Sequence, residues 1–316
     1  MDAAHDARAD RAPTARWAHD ERAMSAAWRA AVELWLLPAL VAALPYRLGI
    51  ALARGLARTL PLYDDAARAG LAQWRTVAGS GNDDGQGRAW LTDYRFAQLV
   101  DHADLFWALT RSRRFLLRRV GAAPAALFPG RALLVLSFHF GQGLWLLHWL
   151  AAQGRPPRFV SIRLDRAQSP SALHFAYARL RMAAVGRVSG VAPIYTGGAR
   201  REIAQTLAGG GTVYGLVDVP VPDAQGAAGN ATLLGKPVLL PPGLLEAAHG
   251  ASAQALVLTA RAGRDGRRIV ETEPVGDVDE VTIGGLAALL ERRLREAPAA
   301  WHFWHLWPQF RVKPPS

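Results

Sequence analysis

The stretch VLSFHFGQGLW, Val135 to Trp145, decides how the rest of the chain reads. An apolar run ends in His139, a small turn Gly141-Gln142-Gly143 follows, and an apolar segment WLLHWLAAQG then closes at Gly154. The run ALLVLSF (132–138) has no polar alternation, as expected of a strand covered on both faces. A buried strand, a glycine turn and a helix make one α/β unit. His139 then stands at a strand end, where such sheets gather their functional groups. A neutral imidazole there is a natural base for a hydroxyl, because its pKa lies near neutral pH.

Working outward, the same alternation repeats. RFVSIRL (158–164) reads as a strand and SALHFAYARLRMAAVG (171–186) as a helix. APIYTG is a short strand, ARREIAQTLAGGG a helix with a glycine stop, and TVYGLVDVP (212–220) a strand. PPGLLEAAHG (241–250) is a helix opened by proline and closed by glycine. AQALVLTARAG and RRIVETEPV flank Arg264-Asp265-Gly266, the pattern of a hairpin. GGLAALLERRLREAP is a last helix, leading into WHFWHLWPQF. The expectation is an α/β fold: a mixed central sheet flanked by helices. Residues 64–130 read as helical, with amphipathic spacing in DYRFAQLVDHADLFWALT (93–110).

The N-terminal part differs. Residues 1–24 mix charges of both signs with no apolar face and read as a disordered leader. Residues 25–63 read as a membrane-associating helical segment, and 64–316 as the α/β domain. The apolar run Leu34–Pro45 is shorter than the roughly 20 residues a bilayer span needs. Glu33 and Arg47 bracket it, and Pro38 and Pro45 interrupt it. A kinked helix or helical hairpin in the interface is expected, anchored by Trp28 and Trp35; a pair of core helices and a single span are the other readings.

The 316 residues carry a formal charge of +11, almost all from arginine, since Lys236 and Lys313 are the only lysines. Such a surface suits nucleic acid, anionic headgroups or an acidic carrier protein. No helix-turn-helix, zinc finger or RNP signature is present, which argues against nucleic acid. The eleven tryptophans and the apolar N-terminal segment favour a membrane surface. The absence of cysteine removes thiolate nucleophiles and cysteine metal sites, and fits the cytoplasmic side.

Four elements in order carry a resemblance: HFGQGLW; GGTVYGLVDVP (210–220); ATLLGKPVLLPPGLLEAAHGASAQALVL (231–258); and APAAWHFWHLWPQF (297–310). Together with LPYRLGIALARGLARTL they resemble the lysophospholipid acyltransferase-like proteins of the lipid A late acyltransferase type. The resemblance implies an acyltransferase on the cytoplasmic face of the inner membrane, attached peripherally or by a single anchor. It implies acyl carrier protein or acyl-CoA as donor, a lipid-like hydroxyl or amine as acceptor, and no cofactor or metal. It also implies that His139 is the general base, helped by an acid that the family places after four intervening residues.

That position is Leu144 here. Three readings stay open. Asp218, at the end of the strand VYGLVDV, substitutes for the acid; Gln142 holds the imidazole tautomer without supplying charge; or the chain binds acyl groups or acyl carriers without turnover. Gly141 and Gly143 are expected to let the acyl group approach closely. Arg163 and Arg181 stand where the resemblance places handling of acceptor or carrier phosphate, and guanidinium suits phosphate oxygens. Surface ion pairing is their other reading. His148, on the helix, reads as a packed histidine. Trp301, Trp304 and Trp307 recur every three residues and read as core packing or a membrane-proximal rim, with an acyl-chain pocket as the other reading.

Overall fold

In a computed structural model, which describes residues 25–79, 83–121, 130–221 and 229–312, the run ahead of His139 forms β1 (Leu133–Ser137), buried at every position. On one side it pairs in parallel with β4 (Thr212–Leu216), and on the other with β7 (Gln254–Ala262). Beyond β4 lie β2 (Pro157–Ser161) and the short β3 (Ile194–Tyr195), both parallel. The antiparallel β8 (Arg268–Asp277) closes the far side, giving the order β3-β2-β4-β1-β7-β8. The fold is therefore the expected α/β one, with a mostly parallel, mixed sheet. Strand alternation splits the core between the two faces. Leu134 and Leu136 face one apolar cluster, and Leu133 and Val135 face another.

The sequence pattern does not announce a second, two-stranded sheet, β5 (Gly229–Leu233) with β6 (Lys236–Leu240). Its two-residue turn is Leu234-Gly235, with φ of 52° and 72°. Two positive φ values match the twist of a tight hairpin, but the usual signal is Asn-Gly or Asp-Gly. Here the Leu234 amide donates to Glu291 Oε2 at 2.6 Å, so a tertiary contact holds what the local sequence does not favour.

The amphipathic helix expected over 93–110 begins earlier and runs Asp84–Thr110, with the Asp83 side chain capping its start. It packs against the N-terminal helices. The segment 25–63 does not stand apart from the body. Val41, Ala42, Tyr46, Ile50, Ala53 and Ala57 cluster with Phe96, Leu99, Val100, Ala103 and Trp107. Trp35 lies against Phe106 and Tyr177 and donates to Leu173 O, while Trp28 is 69% exposed. Pro38 does not break the first helix, which runs Ser25–Ala43 and is long and apolar enough to cross a membrane. A wider turn over Ala31–Leu36, where Leu37 N–H bonds Val32 O, carries the helix into the proline. The chain turns only at Leu44-Pro45, before the helix Tyr46–Thr59. The leader expected over 1–24 lies outside the described residues.

Candidate active site

β1 and β4 bring the site together by register. Ser137 stands opposite Leu216, and Val217 N–H donates to Ser137 O at 3.0 Å. Two residues further along each strand are His139 and Asp218. The Asp218 carboxylate, fully buried, accepts the His139 backbone N–H at 2.9 Å (Oδ1) and 2.8 Å (Oδ2). Asp218 Oδ1 also lies 2.9 Å from His139 Nδ1, and Trp301 Nε1–H donates to Oδ2 at 2.8 Å. A carboxylate oxygen accepts, so in this contact Nδ1 is placed to donate, and the neutral ring that fits it is the Nδ1–H tautomer. The imidazole is 26% exposed. The contact favours one tautomer of the imidazole, and Nε2 makes no hydrogen bond among the described residues.

The C-terminal aromatic segment completes the shell. Phe303 stacks on the His139 ring, with centroids 3.9 Å apart. His302 N–H donates to His139 O at 2.8 Å, Gly141 N–H donates to Ala300 O at 2.8 Å, and Phe140 bridges Trp301. Trp301, Trp304 and Trp307 are buried and pack on one another, as expected of core residues. Trp301 has a polar task as well. Neither it nor Phe303 stood out in the sequence as a site residue. The only signal of Trp301 was the three-residue repeat, which pointed to packing, and Phe303 had none.

The turn residues have separate jobs. Gly141 has φ of +63°, and a Cβ there would lie 2.0 Å from Ala260 O. Its glycine is demanded by close approach to β7. Gly143 has open space around the position of a Cβ. Gln142 is buried, with Nε2 donating to Ala97 O at 3.3 Å and Oε1 without a partner. It makes no hydrogen bond to His139 among the described residues, so the tautomer is held by Asp218 instead. Gln142 lines a cavity of about 810 Å³ that Ala300, Arg261 and Trp90 share. Leu144 is 2% exposed inside an apolar cluster, and its side chain faces the core.

The two arginines part company. Arg163 is exposed over the Tyr195 ring, at 5.3 Å, and lines a groove of about 610 Å³ with Arg179, Phe175 and Met182. Arg181 is tied to the body: it pairs with Asp101 at 3.0 Å and approaches Tyr177 OH at 3.5 Å. Burial alone would raise the Asp101 carboxyl, but Arg181, His302 and His102 together hold it below its ordinary value. His302 is pushed down to about 4, first by burial, with His139 and Arg181 adding to it against the pull of Asp101. His302 is thus neutral beside the candidate base. His148 is also pushed down to about 4 by burial, as befits a packed residue. No group of three or more possible metal ligands occurs among the described residues.

No family model matches the chain, and no curated protein matches it either.

Proposed function

We propose that the protein is an acyltransferase that moves an acyl group from a thioester carrier, acyl carrier protein or acyl-CoA, to a hydroxyl or amine of a lipid-like acceptor at a membrane surface. The observation that carries the reading is the buried Asp218 carboxylate on His139 Nδ1 at 2.9 Å. A carboxylate within hydrogen-bond reach of the imidazole supports the enzyme reading over that of a binder without turnover.

In this mechanism His139 Nε2 takes a proton from the acceptor's hydroxyl or amine as the acceptor oxygen or nitrogen attacks the thioester carbonyl. Asp218 stabilises the imidazolium that forms. The tetrahedral intermediate collapses with cleavage of the C–S bond, and the imidazolium returns the proton to the leaving thiolate. An oxygen ester, or an amide where the acceptor is an amine, and a free thiol result. Trp301 and the His139 amide fix the carboxylate, and Phe303 fixes the ring plane, so the base needs little reorganisation. The cavity beside Gln142 is of a size that accommodates a ligand close to the turn.

The test is consumption of acyl thioesters by the purified full-length protein with membrane lipid acceptors, comparing wild type with His139→Ala. Turnover should be lost in the variant while the fold is retained, as read by circular dichroism. A variant that turns over at the wild-type rate sinks the mechanism. A wild-type protein that binds the thioester without consuming it restores the binder reading.

A further inference from the structure

Away from His139, the helix Tyr46–Thr59, the helix Arg113–Leu117 and the β7–β8 turn enclose a groove of about 1020 Å³. Seven arginines and one carboxylate line it. Arg47, Ala51 and Arg54 follow one another at helical spacing along the first wall, with the small Ala51 leaving room between the two guanidiniums. Arg114, Arg118 and Arg119 form the second wall, and Arg264 and Arg267 the third. Arg47, Arg114, Arg118, Arg264 and Arg267 make no ion pair among the described residues. The one carboxylate, Asp265, already accepts the Arg267 backbone N–H at 3.0 Å.

The walls are held from beneath. Gly266, at the turn, packs on Ile50, and its carbonyl accepts from both Tyr46 OH and Arg268. Arg268 in turn forms a fully buried ion pair with Asp104. The groove is therefore a built feature rather than a loose collection of surface side chains. Burial is the first cause that pushes the Arg119 guanidinium below its ordinary value; Tyr46 opposes it, and the neighbouring Arg118 and Arg111 add to the lowering.

We propose that this groove takes the phosphate headgroups of an anionic bilayer and so sets which face of the protein meets the membrane. Charge complementarity calls for phosphate oxygens, which guanidinium binds through paired hydrogen bonds. Apolar exposure on the groove's first helix and on the helix before it selects a bilayer over a soluble anion. Leu48, next to Arg47, is 59% exposed, and Leu36 and Leu40 on the preceding helix are 61% and 46% exposed. Guanidiniums and bare hydrocarbon on adjoining helices match an interface that offers phosphate and acyl chains together. The inference rests on the membrane-surface part of the proposed function and is independent of its chemistry.

The test is flotation of the full-length protein with vesicles of phosphatidylcholine alone and of equal parts phosphatidylcholine and phosphatidylglycerol. Wild type should prefer the anionic vesicles, and salt should erase the preference. Arg114→Gln, Arg118→Gln and Arg264→Gln together should weaken anionic binding by roughly a hundredfold, at about fivefold for each arginine near the surface. Binding to phosphatidylcholine alone should not change. Equal binding of wild type to both vesicles overturns the proposal, and so does a triple variant that keeps the preference. A triple variant that loses an acidic carrier protein or inositol hexakisphosphate while keeping the vesicles also overturns it. If the variant fails to fold, the wild-type salt titration decides alone. Thioester consumption is measured separately, so loss of the chemistry and loss of the membrane preference are told apart.

Discussion

Asp218 holds His139 at two points: both carboxylate oxygens take the backbone N–H, and Oδ1 lies 2.9 Å from Nδ1. The acid thus fixes the strand end and the ring together. Asp218→Asn is expected to lower turnover by roughly 10⁴-fold with little change in KM, because an amide can present a donor to Nδ1 and favour the wrong tautomer. Steady-state kinetics with an acyl thioester would check it. A loss of only a few-fold would mean that Asp218 is a structural partner of the backbone alone.

Trp301→Phe keeps the indole's bulk in part but removes the donor to Asp218 Oδ2. The loss should fall on kcat rather than KM, at roughly tenfold, with a modest fall in the melting temperature. A change confined to stability would assign Trp301 to packing only.

Leu144→Glu restores the spacing of the resemblance but places a carboxylate in an apolar cluster. It should destabilise the fold by about 2–4 kcal/mol and leave turnover in the Asp218→Asn background unrescued. Denaturant midpoints and kinetics of the double variant test both halves. Recovered activity would mean that the acid role is not confined to position 218.

Much of this geometry was legible from the chain, and the reasons it was, or was not, are physical. A buried strand ending in histidine and a second ending in aspartate imply the pair, because parallel strands place their ends on one edge. The role of Trp301 was hidden because a side chain's hydrogen bond across 83 residues of sequence leaves no local pattern. The β5–β6 hairpin was hidden because Leu234 occupies a position where the turn signal is normally asparagine or aspartate. Pro38 misled in the other direction: a widened turn just before it let the helix run on. Gln142 and Arg181 were the right residue types in the right neighbourhood, but Ala97 and Asp101 hold them elsewhere.

Acid should unfold the protein through its buried histidines. His102 is pushed down to about 3 and His302 to about 4, burial being the first cause in each, from an ordinary 6.5. Below that ordinary value the unfolded chain takes up protons that the native histidines refuse. Their contribution to stability is therefore complete above about pH 6.5 and is lost as pH falls toward 4 and 3. Calorimetric melting temperatures across that window should decline, and His102→Gln should flatten the decline. A flat profile in the wild type would contradict the neutral, buried state.

Breaking the buried pair beneath the arginine groove should cost more than any surface change. Arg268→Ala leaves Asp104 without its partner and is expected to destabilise by about 3–5 kcal/mol, measured by denaturant unfolding. A much smaller cost would show that Asp104 is stable without the guanidinium.

The zipper between residues 139–141 and 300–302 has a consequence for biosynthesis. β1 and β4 are complete once Leu216 has left the ribosome, yet the indole that secures Asp218 and the ring that covers His139 belong to residues translated some eighty positions later. A nascent chain therefore cannot cover the imidazole until its aromatic tail emerges. Arrested chains ending before Trp301 should show the histidine open to chemical modification, and chains that include Phe310 should protect it.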